Sequence, residues 1–441
     1  MLATPAQRGL AVLELAQAGN FTEIRDLFAP PLRTIVSADA LAAGWTAELD
    51  RQGRVSSIGV PVSEPAGPGA TVVKVPVTCE HGGLTVVISM TDTGWLGGIQ
   101  LAPAAAAEPI APWEPPAYAD PRSFDEQDVT VGSGRLAVPG TLSLPHEPGP
   151  RPAVVLLCGS GMLDRDETIG RNKPFRDLAW GLASRGVAVL RFDKVTYAHP
   201  GEVASDDDFT AADEYVPHAI AAVGLLGRHP AVDARRIFVL GHSLGGTLAP
   251  RVAAGEPAVA GLVILAGGAQ PLHWTLVRQL EYLASLEPAT AAASEPAIET
   301  SREQARLIDS PGLSASTPAG DLPLGVPGAY WLDLRDHEPV AVAAALERPI
   351  LVLQGGRDYQ VTVDDDLARW KAGLADRPDV TIRIHPADNH LFFPGSGRST
   401  PAEYEPAQHM DAAVVAEIAD WLTGAGVGVG VGVDARPPDE H

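Results

Sequence analysis

The chain has 441 residues, 45% hydrophobic and 20% charged, which suffices for two domains and fits a globular protein with a sizeable core. Its 32 basic and 55 acidic residues give a formal net charge of −23, which repels phosphate backbones, so no nucleic-acid partner is expected. The two cysteines, Cys79 and Cys158, are far apart and form no CxxC pattern, so neither a disulfide framework nor a cysteine metal site is expected.

Residues 1–100 predict a small α+β domain without a catalytic cluster. Apolar residues at helical spacing predict helices in its first half, and two strand-like runs, 71–78 and 84–90, follow. The first residues lack the basic start and long apolar core of a signal peptide, and no later run is long enough to span a bilayer. We therefore expect a cytoplasmic protein with no membrane partner.

Composition marks the remaining boundaries. Repeated prolines and alanines at 101–122 predict an extended linker, in which Trp113 and Tyr118 are candidates for pinning it to a surface. A catalytic domain is predicted over 123–424. The alternating glycines and valines of 425–441 predict a disordered tail.

From residue 128 the pattern changes to short apolar runs separated by helical segments. A hairpin is predicted over 129–144, and the apolar runs that follow predict strands at 153–158, 187–192, 237–240, 261–266, 350–353 and 380–384. Strands alternating with helices indicate a doubly wound, mostly parallel sheet covered on both faces. The strand rhythm stops for more than 80 residues after Ala266, and an insertion there, at about 268–345, is interpreted as a helical cap.

The strongest functional motif is Gly241-His242-Ser243-Leu244-Gly245-Gly246, between a predicted strand and a predicted helix. This context is typical of a nucleophile elbow, in which small neighbours let the backbone pass close to an exposed serine. Ser243 is therefore the candidate nucleophile. His242 is interpreted as structural, because adjacent residues on such a turn point apart.

A serine needs a base beside it, and the acid and the histidine are expected in that order after later strands. Asp358 follows the strand at 350–353, and His390 follows the strand at 380–384. Weaker competitors are His385, at the edge of its strand, and three aspartates explained by capping of the next helix: Asp364, Asp365 and Asp366. Asp358 and His390 are predicted to complete the triad.

The backbone N–H groups of Leu244 and Ser160 are the predicted oxyanion-hole donors, with Gly161 and Met162 as alternatives in the second loop and as candidate substrate contacts. The charged loop after them, 163–168, is expected to be held by internal Asp–Arg pairing. Trp274 and Trp331 in the predicted cap are further candidates for the pocket wall.

Residues from about 128 to 423 resemble bacterial α/β-hydrolases of the esterase D-like and serine aminopeptidase-like group. The matching motifs are GSGMLDRDETIGRNKPF, VLGHSLGG, LVLQGGRDYQVT and HPADNHLF. Residues 1–100 resemble a DUF3887-type domain. The resemblance implies an α/β-hydrolase fold and a carboxylesterase-like enzyme with Ser243, Asp358 and His390 as its triad. Cys158 and Met162 depart from the family pattern, where histidine and proline are frequent.

Together these features predict a serine hydrolase that cleaves carboxylic esters of small acyl groups and requires neither a metal nor a cofactor. An aminopeptidase or a thioesterase would use the same triad, whereas a haloalkane dehalogenase would need a carboxylate at position 243. A non-enzymatic alternative also remains open, in which the protein is a binding module with a vestigial triad. For residues 1–100 we consider two roles: shielding the active site, or forming a homodimer.

Overall fold

The computed structural model describes residues 4–29, 32–34, 36–65, 70–104, 113–286 and 291–424. The predicted tail at 425–441 and residues 105–112 of the predicted linker lie outside the described residues. The chain divides into one unit of Met1–Ala111, Ala284–Gln304 and Thr317–Val326, and a second of Pro112–Leu283, Ala305–Ser316 and Pro327–His441. This differs from the predicted boundary, because two segments of the predicted cap belong to the first unit.

The first unit pairs helices with an antiparallel sheet. Its helices are α1 (Pro5–Gln17), α2 (Phe21–Asp26) and α3 (Ala38–Gln52), and its strands are β1 (Val55–Ile58), β2 (Val62–Pro65), β3 (Ala70–Cys79), β4 (Gly82–Thr91) and β5 (Leu96–Pro103). The strand order is β1-β3-β4-β5, with β2 also paired to β3. Since β5 extends to Pro103, residues 101–103 form a strand and not the start of a linker.

The core of this unit follows from the alternating direction of the side chains on its two longest strands, β3 and β4. Val73, Val75 and Val77 point to one face of β3 and pack in one cluster with Leu13 and Phe28. A cavity of about 360 Å³ is lined by mostly apolar residues of α1–α3, β4 and β5, together with Glu48 and Arg51 of α3. The resemblance of this unit to a DUF3887-type domain stays a prediction, as does its binding role.

The second unit contains an eight-stranded mixed sheet. Its strands are β6 (Phe124–Val131), β7 (Val138–Pro145), β8 (Arg151–Leu157), β9 (Ala188–Phe192), β10 (Val232–His242), β11 (Val259–Leu265), β12 (Ile350–Gly355) and β13 (Val380–His385). They lie in the order β13-β12-β11-β10-β8-β9-β7-β6. The pairs from β13 to β9 are parallel, while β7 pairs antiparallel with β6 and β9. The predicted hairpin is thus the β6–β7 pair.

Helices cover the apolar strands. Those within or bordering this unit are α4 (Pro174–Ala183), α5 (Val195–Ala198), α6 (Pro200–Ala204), α7 (Ala211–Gly227), α8 (Leu244–Gly255), α9 (Leu272–Leu286), α10 (Ala291–Asp309), α11 (Gly328–Arg335), α12 (Pro339–Ala344), α13 (Ala368–Gly373) and α14 (Ala412–Thr423). Val154 and Leu156 of β8 share a core cluster with α4 and α14, while the alternate residues Val155 and Leu157, on the opposite face, are also buried. The doubly wound α/β-hydrolase fold is confirmed.

The parallel strands bring four loops to one edge of the sheet. β8 leads into Gly159 and Ser160, β10 into Ser243, β12 into Asp358 and β13 into His390. Because parallel strands end on the same side, these residues gather although they lie far apart in sequence. The segment from α9 to α12 enters between β11 and β12, and its role as a cap stays a prediction. Among the described residues, no helix combines the length and apolar character needed to cross a bilayer.

Candidate active site

Ser243 occupies a strained turn between β10 and α8. Its backbone has φ 51° and ψ −119°, which few residues other than glycine adopt. The Ser243 N–H donates to the carbonyl of Leu265 at 2.9 Å, which fixes the turn against the end of β11. Leu244 is the first residue of α8, so its N–H belongs to the first turn, where no intrahelical acceptor is available.

Two glycines make the turn sterically feasible. A Cβ on Gly241 would lie 2.1 Å from the carbonyl oxygen of Gly245, and a Cβ on Gly245 would lie 2.2 Å from the carbonyl oxygen of Leu157. Both contacts are with backbone atoms, which cannot move aside as a flexible side chain can. The small residues of the motif therefore serve close approach of α8 to strands β8 and β10.

Gly245→Ala is expected to lower the free energy of unfolding by about 1–3 kcal/mol, as overpacking does elsewhere. Alanine is a better helix former than glycine by about 1 kcal/mol, so helix propensity alone would raise the free energy of unfolding. A decrease therefore indicates a steric clash. Urea unfolding measures the difference. Gly201→Ala in α6 is the control, because a Cβ there has nothing within 4 Å. Equal stability of Gly245→Ala and the wild type would contradict the close approach.

Asp358 and His390 are joined inside the protein. His390 Nδ1 donates to Asp358 Oδ2 at 2.7 Å, and both side chains are almost fully buried. The carboxylate also accepts from the N–H groups of Gln360 and Val361 and from the side-chain amide of Gln354. With four donors around Asp358, the proton of His390 is held on Nδ1, and Nε2 keeps the lone pair that a base requires.

The loop that carries His390 is tied to the serine turn. His242 Nε2 donates to the carbonyl oxygen of His390 at 2.9 Å, and the two rings lie 4.7 Å apart. Asn389 braces the same loop, since its side-chain oxygen accepts from the N–H groups of Leu391 and Phe393. The Ser243 hydroxyl makes no hydrogen bond among the described residues, and contacts of this kind often tighten only when substrate binds.

His242 also contacts a buried carboxylate. Its Nδ1 lies 2.9 Å from Glu167 Oε1, and both side chains are at most 5% exposed. Burial alone would lower the pKa of His242, but the charge and hydrogen bond of Glu167 outweigh it and raise the pKa above its usual value. Since both ring nitrogens face acceptors, the contacts favour a protonated His242.

Glu167 connects this pair to the loop after β8. The same Oε1 accepts from the N–H of Gly159 at 2.7 Å. A Cβ on Gly159 would lie 3.2 Å from Ser243 Cβ, so the loop runs directly beside the serine. Glu167 has φ 53°, which is uncommon outside glycine. This strained, buried residue positions both the serine turn and the neighbouring loop.

A buried cation fixes the peptide between Gly159 and Ser160. Its carbonyl oxygen accepts from Lys194 Nζ and from the Tyr215 hydroxyl, each at 2.8 Å. Lys194 is 3% exposed and pairs with Glu214 at 3.0 Å. Because the C=O and N–H of a trans peptide point in opposite directions, the Ser160 N–H faces away from Lys194.

The charged loop after Met162 is held by ion pairs to the end of β9. Arg165 pairs with Asp193 at 2.9 Å, and Asp166 pairs with Arg191 at 2.9 Å and with Lys173 at 3.0 Å. Asp–Arg pairs hold the loop, but the expectation that they are internal to it is wrong, because Arg191 and Asp193 at the end of β9 supply the partners.

A cavity of about 100 Å³ opens beside the serine turn. Ser160, Ser243 and Leu244 line one side, and residues of α9 and of the segments near 268–271, 334–339 and 360–369 line the rest. The four candidate substrate contacts Gly161, Met162, Trp274 and Trp331 are not among its lining residues. Trp331 is fully buried, and the Trp274 indole donates to Asp309 at 2.7 Å, so their sequence-based assignment to the pocket wall needs correction.

The competing residues have other partners. His385 Nε2 donates to Glu417 on α14 at 3.1 Å. Asp364, Asp365 and Asp366 lie in a short π-helix, Val363–Leu367, that begins after Thr362. Asp366 is buried there and accepts from the N–H groups of Ala269 and Gln270, which ties that turn to the loop after β11. Capping alone, the sequence-based explanation, is therefore incomplete for Asp366.

Sequence reasoning missed several positioning residues. Glu167, Lys194, Glu214, Tyr215 and Gln354 are all buried polar residues around the site. The sequence places the charged loop that contains Glu167 beside the pocket, and Lys194 follows the predicted strand at 187–192. Their contacts with Gly159, which give them their positioning roles, are visible only in three dimensions.

Comparisons with known proteins identify the family of the chain. Residues 154–407 match the alpha/beta hydrolase family. The chain is 38% identical to esterase EstD of Thermotoga maritima over 343 residues, which cover 78% of this chain and 77% of the esterase. It is 30% identical to 2,6-dihydropseudooxynicotine hydrolase of Paenarthrobacter nicotinovorans over 141 residues, or 32% and 35% of the two chains.

Among solved structures, Est1E from Butyrivibrio proteoclasticus is similar, with a TM-score of 0.44, 16% identity, and coverage of 67% of this chain and 97% of that one. The family match spans more than half of the chain, and the similarity to EstD covers more than two thirds of both proteins. The esterase D-like resemblance is thereby confirmed. The chain is a hydrolase, and it belongs to the alpha/beta hydrolase family.

Proposed function

We propose that the chain is a serine esterase that cleaves carboxylic esters of small acyl groups. The observation that carries the proposal is the 2.7 Å contact of His390 with Asp358, on a loop bound through His242 to the serine turn. Similarity to esterase EstD supports ester hydrolysis. The compact cavity beside Ser243, of about 100 Å³, supports small acyl groups.

The proposed reaction has two halves. His390 Nε2 takes the proton from Ser243 Oγ as that oxygen attacks the ester carbonyl carbon, and Asp358 stabilises the imidazolium. The oxyanion accepts from the N–H groups of Leu244 and Ser160. The imidazolium then protonates the departing alcohol, leaving an acyl-enzyme. Water, deprotonated by His390, attacks the acyl carbon. The bond from this carbon to Ser243 Oγ breaks, the imidazolium returns its proton to Oγ, and the acid is released.

The proposal is tested with 4-nitrophenyl esters from acetate to decanoate, with an aminoacyl-4-nitroanilide and an acyl thioester in parallel. We expect the highest kcat/KM for the short esters. A fluorophosphonate probe should label Ser243, located by peptide mapping. Ser243→Ala should not be labelled, while Ser205→Ala, an exposed serine at the end of α6, should be labelled like the wild type.

Other outcomes identify the alternatives. Dominant anilide turnover would replace the esterase proposal with an aminopeptidase, and dominant thioester turnover with a thioesterase. A wild-type protein that neither turns over any substrate nor reacts with the probe would be a binding module with a vestigial triad.

A further inference from the structure

One buried carboxylate lies beside the candidate site without any hydrogen-bonding partner. Asp388, two residues before His390, has no exposed surface, and neither of its carboxylate oxygens has a hydrogen bond within the described part of the chain. A buried carboxylate without hydrogen bonds has lost its contacts with water and has gained no donor in their place, so both of its oxygens are available to a cation.

Two further ligand-type side chains approach Asp388 from other parts of the chain. His385 ends β13 and Asp411 is the N-cap of α14. One ligand atom from each of the three residues lies within 4.8 Å of the other two. The three residues thus converge from the end of a strand, a loop and the start of a helix.

The contacts of the two neighbours leave electron pairs available. His385 Nε2 faces the Glu417 carboxylate and must donate its proton there, so the Nδ1 lone pair of the neutral ring is unused by this contact. Metal-binding histidines almost always donate their other ring N–H to a carboxylate, a backbone carbonyl or water, and the Glu417 contact has this form. Asp411 Oδ1 accepts from the N–H of Ala413, and Oδ2 is not needed for that cap.

We propose that His385, Asp388 and Asp411 bind one divalent transition-metal ion, with Zn²⁺ as the best match. Two carboxylates and a neutral imidazole carry a charge of −2, which a divalent cation balances. An imidazole nitrogen favours Zn²⁺ over Ca²⁺ or Mg²⁺, which prefer oxygen ligands throughout. Water completes the coordination.

The ion would have a structural role. It joins the end of β13, the loop that carries His390 and the first turn of α14, and it takes no part in the proposed ester hydrolysis. The proposal therefore does not depend on the proposed function, and its test needs no substrate.

The test is Zn²⁺ binding to the full chain after removal of metals with a chelator. Isothermal titration and competition with a chromophoric chelator should give one ion per wild-type chain, and stoichiometric Zn²⁺ should raise Tm. Asp388→Asn and His385→Gln should each weaken binding at least ~10-fold, in the range found for disrupted metal sites. Asp420→Asn is the control, because it removes an exposed acidic charge from the same helix α14.

Three results would overturn the proposal. These are no Zn²⁺ binding by the wild type at 100-fold molar excess, equal affinity in the wild type and both ligand variants, or a preference for Ca²⁺ over Zn²⁺ and Mn²⁺. If Asp388→Asn does not fold, the half-buried His385→Gln decides the test, because its side chain lies nearer the surface.

Discussion

Asp358→Asn is expected to lower kcat for ester hydrolysis by about 10³- to 10⁴-fold with little change in KM, as the equivalent change does in serine proteases. The reason is the tautomer of His390. The amide of asparagine would turn its NH₂ group toward Nδ1, because its oxygen can satisfy the N–H groups of Gln360 and Val361. The His390 proton would then move to Nε2, which could no longer accept the proton of Ser243.

Steady-state kinetics on 4-nitrophenyl acetate measure the effect, and urea unfolding checks that the variant folds. Asp364→Asn is the matched control, since Asp364 is exposed in the π-helix nearby. It should retain wild-type kcat. If Asp358→Asn kept kcat within threefold of the wild type, Asp358 would not be the acid that orients His390.

Lys194→Met is expected to reduce kcat by about 10- to 100-fold, somewhat less than the ~10²- to 10³-fold loss found when an oxyanion donor is removed outright. Lys194 does not touch the substrate. It holds the carbonyl of Gly159 at 2.8 Å and thereby keeps the Ser160 N–H pointing away, toward the side where the cavity lies. Without the ammonium group, Tyr215 alone would hold this peptide.

The stability effect of this variant must be separated from the catalytic one. Removing Lys194 leaves the charge of Glu214 buried without its cation, at an expected cost of about 3–5 kcal/mol in the free energy of unfolding. The double variant Lys194→Met/Glu214→Gln removes both charges, so it should recover much of the stability while keeping the loss in kcat.

The diagnostic measurement is affinity for a boronic acid, which forms a tetrahedral anion on the serine. This affinity should fall in parallel with kcat in both variants, whereas KM should stay near the wild-type value. Lys371→Met on α13, an exposed lysine, is the control. If both variants bound the boronic acid as tightly as the wild type, the peptide at Gly159 would not depend on Lys194.

The sequence predicted the second unit better than the first. Its parallel strands are buried on both faces and therefore appear as continuous apolar runs such as Ile350–Leu353. In the first unit, β1 and β2 are only four residues long and contain polar residues, and β5 begins Leu96-Gly97-Gly98. None of these strands shows a clear alternation of apolar and polar residues. These strands are defined by their pairing with neighbouring strands rather than by the intrinsic β-propensity of their residues.

Within the candidate site, residues on sharp turns after strands could be predicted, and residues acting across the fold could not. Ser243, Asp358 and His390 each follow an apolar run, which supplies the signal. Lys194 also follows an apolar run, 187–192, but its role and that of Glu167 come from one carbonyl and one N–H of Gly159, which the sequence does not reveal. Buried polar contacts of this kind depend on backbone geometry that spacing does not encode.

The hydrogen bond between His242 and the carbonyl of His390 has a consequence for how the protein is made. It joins residues 148 positions apart, and β13, which precedes His390, is the edge strand of the sheet and pairs only with β12. Contacts of such long sequence separation form late, because closing the intervening loop costs entropy before any contact compensates. During synthesis, domains fold from the N-terminus onward, so we expect a nascent chain to have no hydrolytic activity until His390 has left the ribosome.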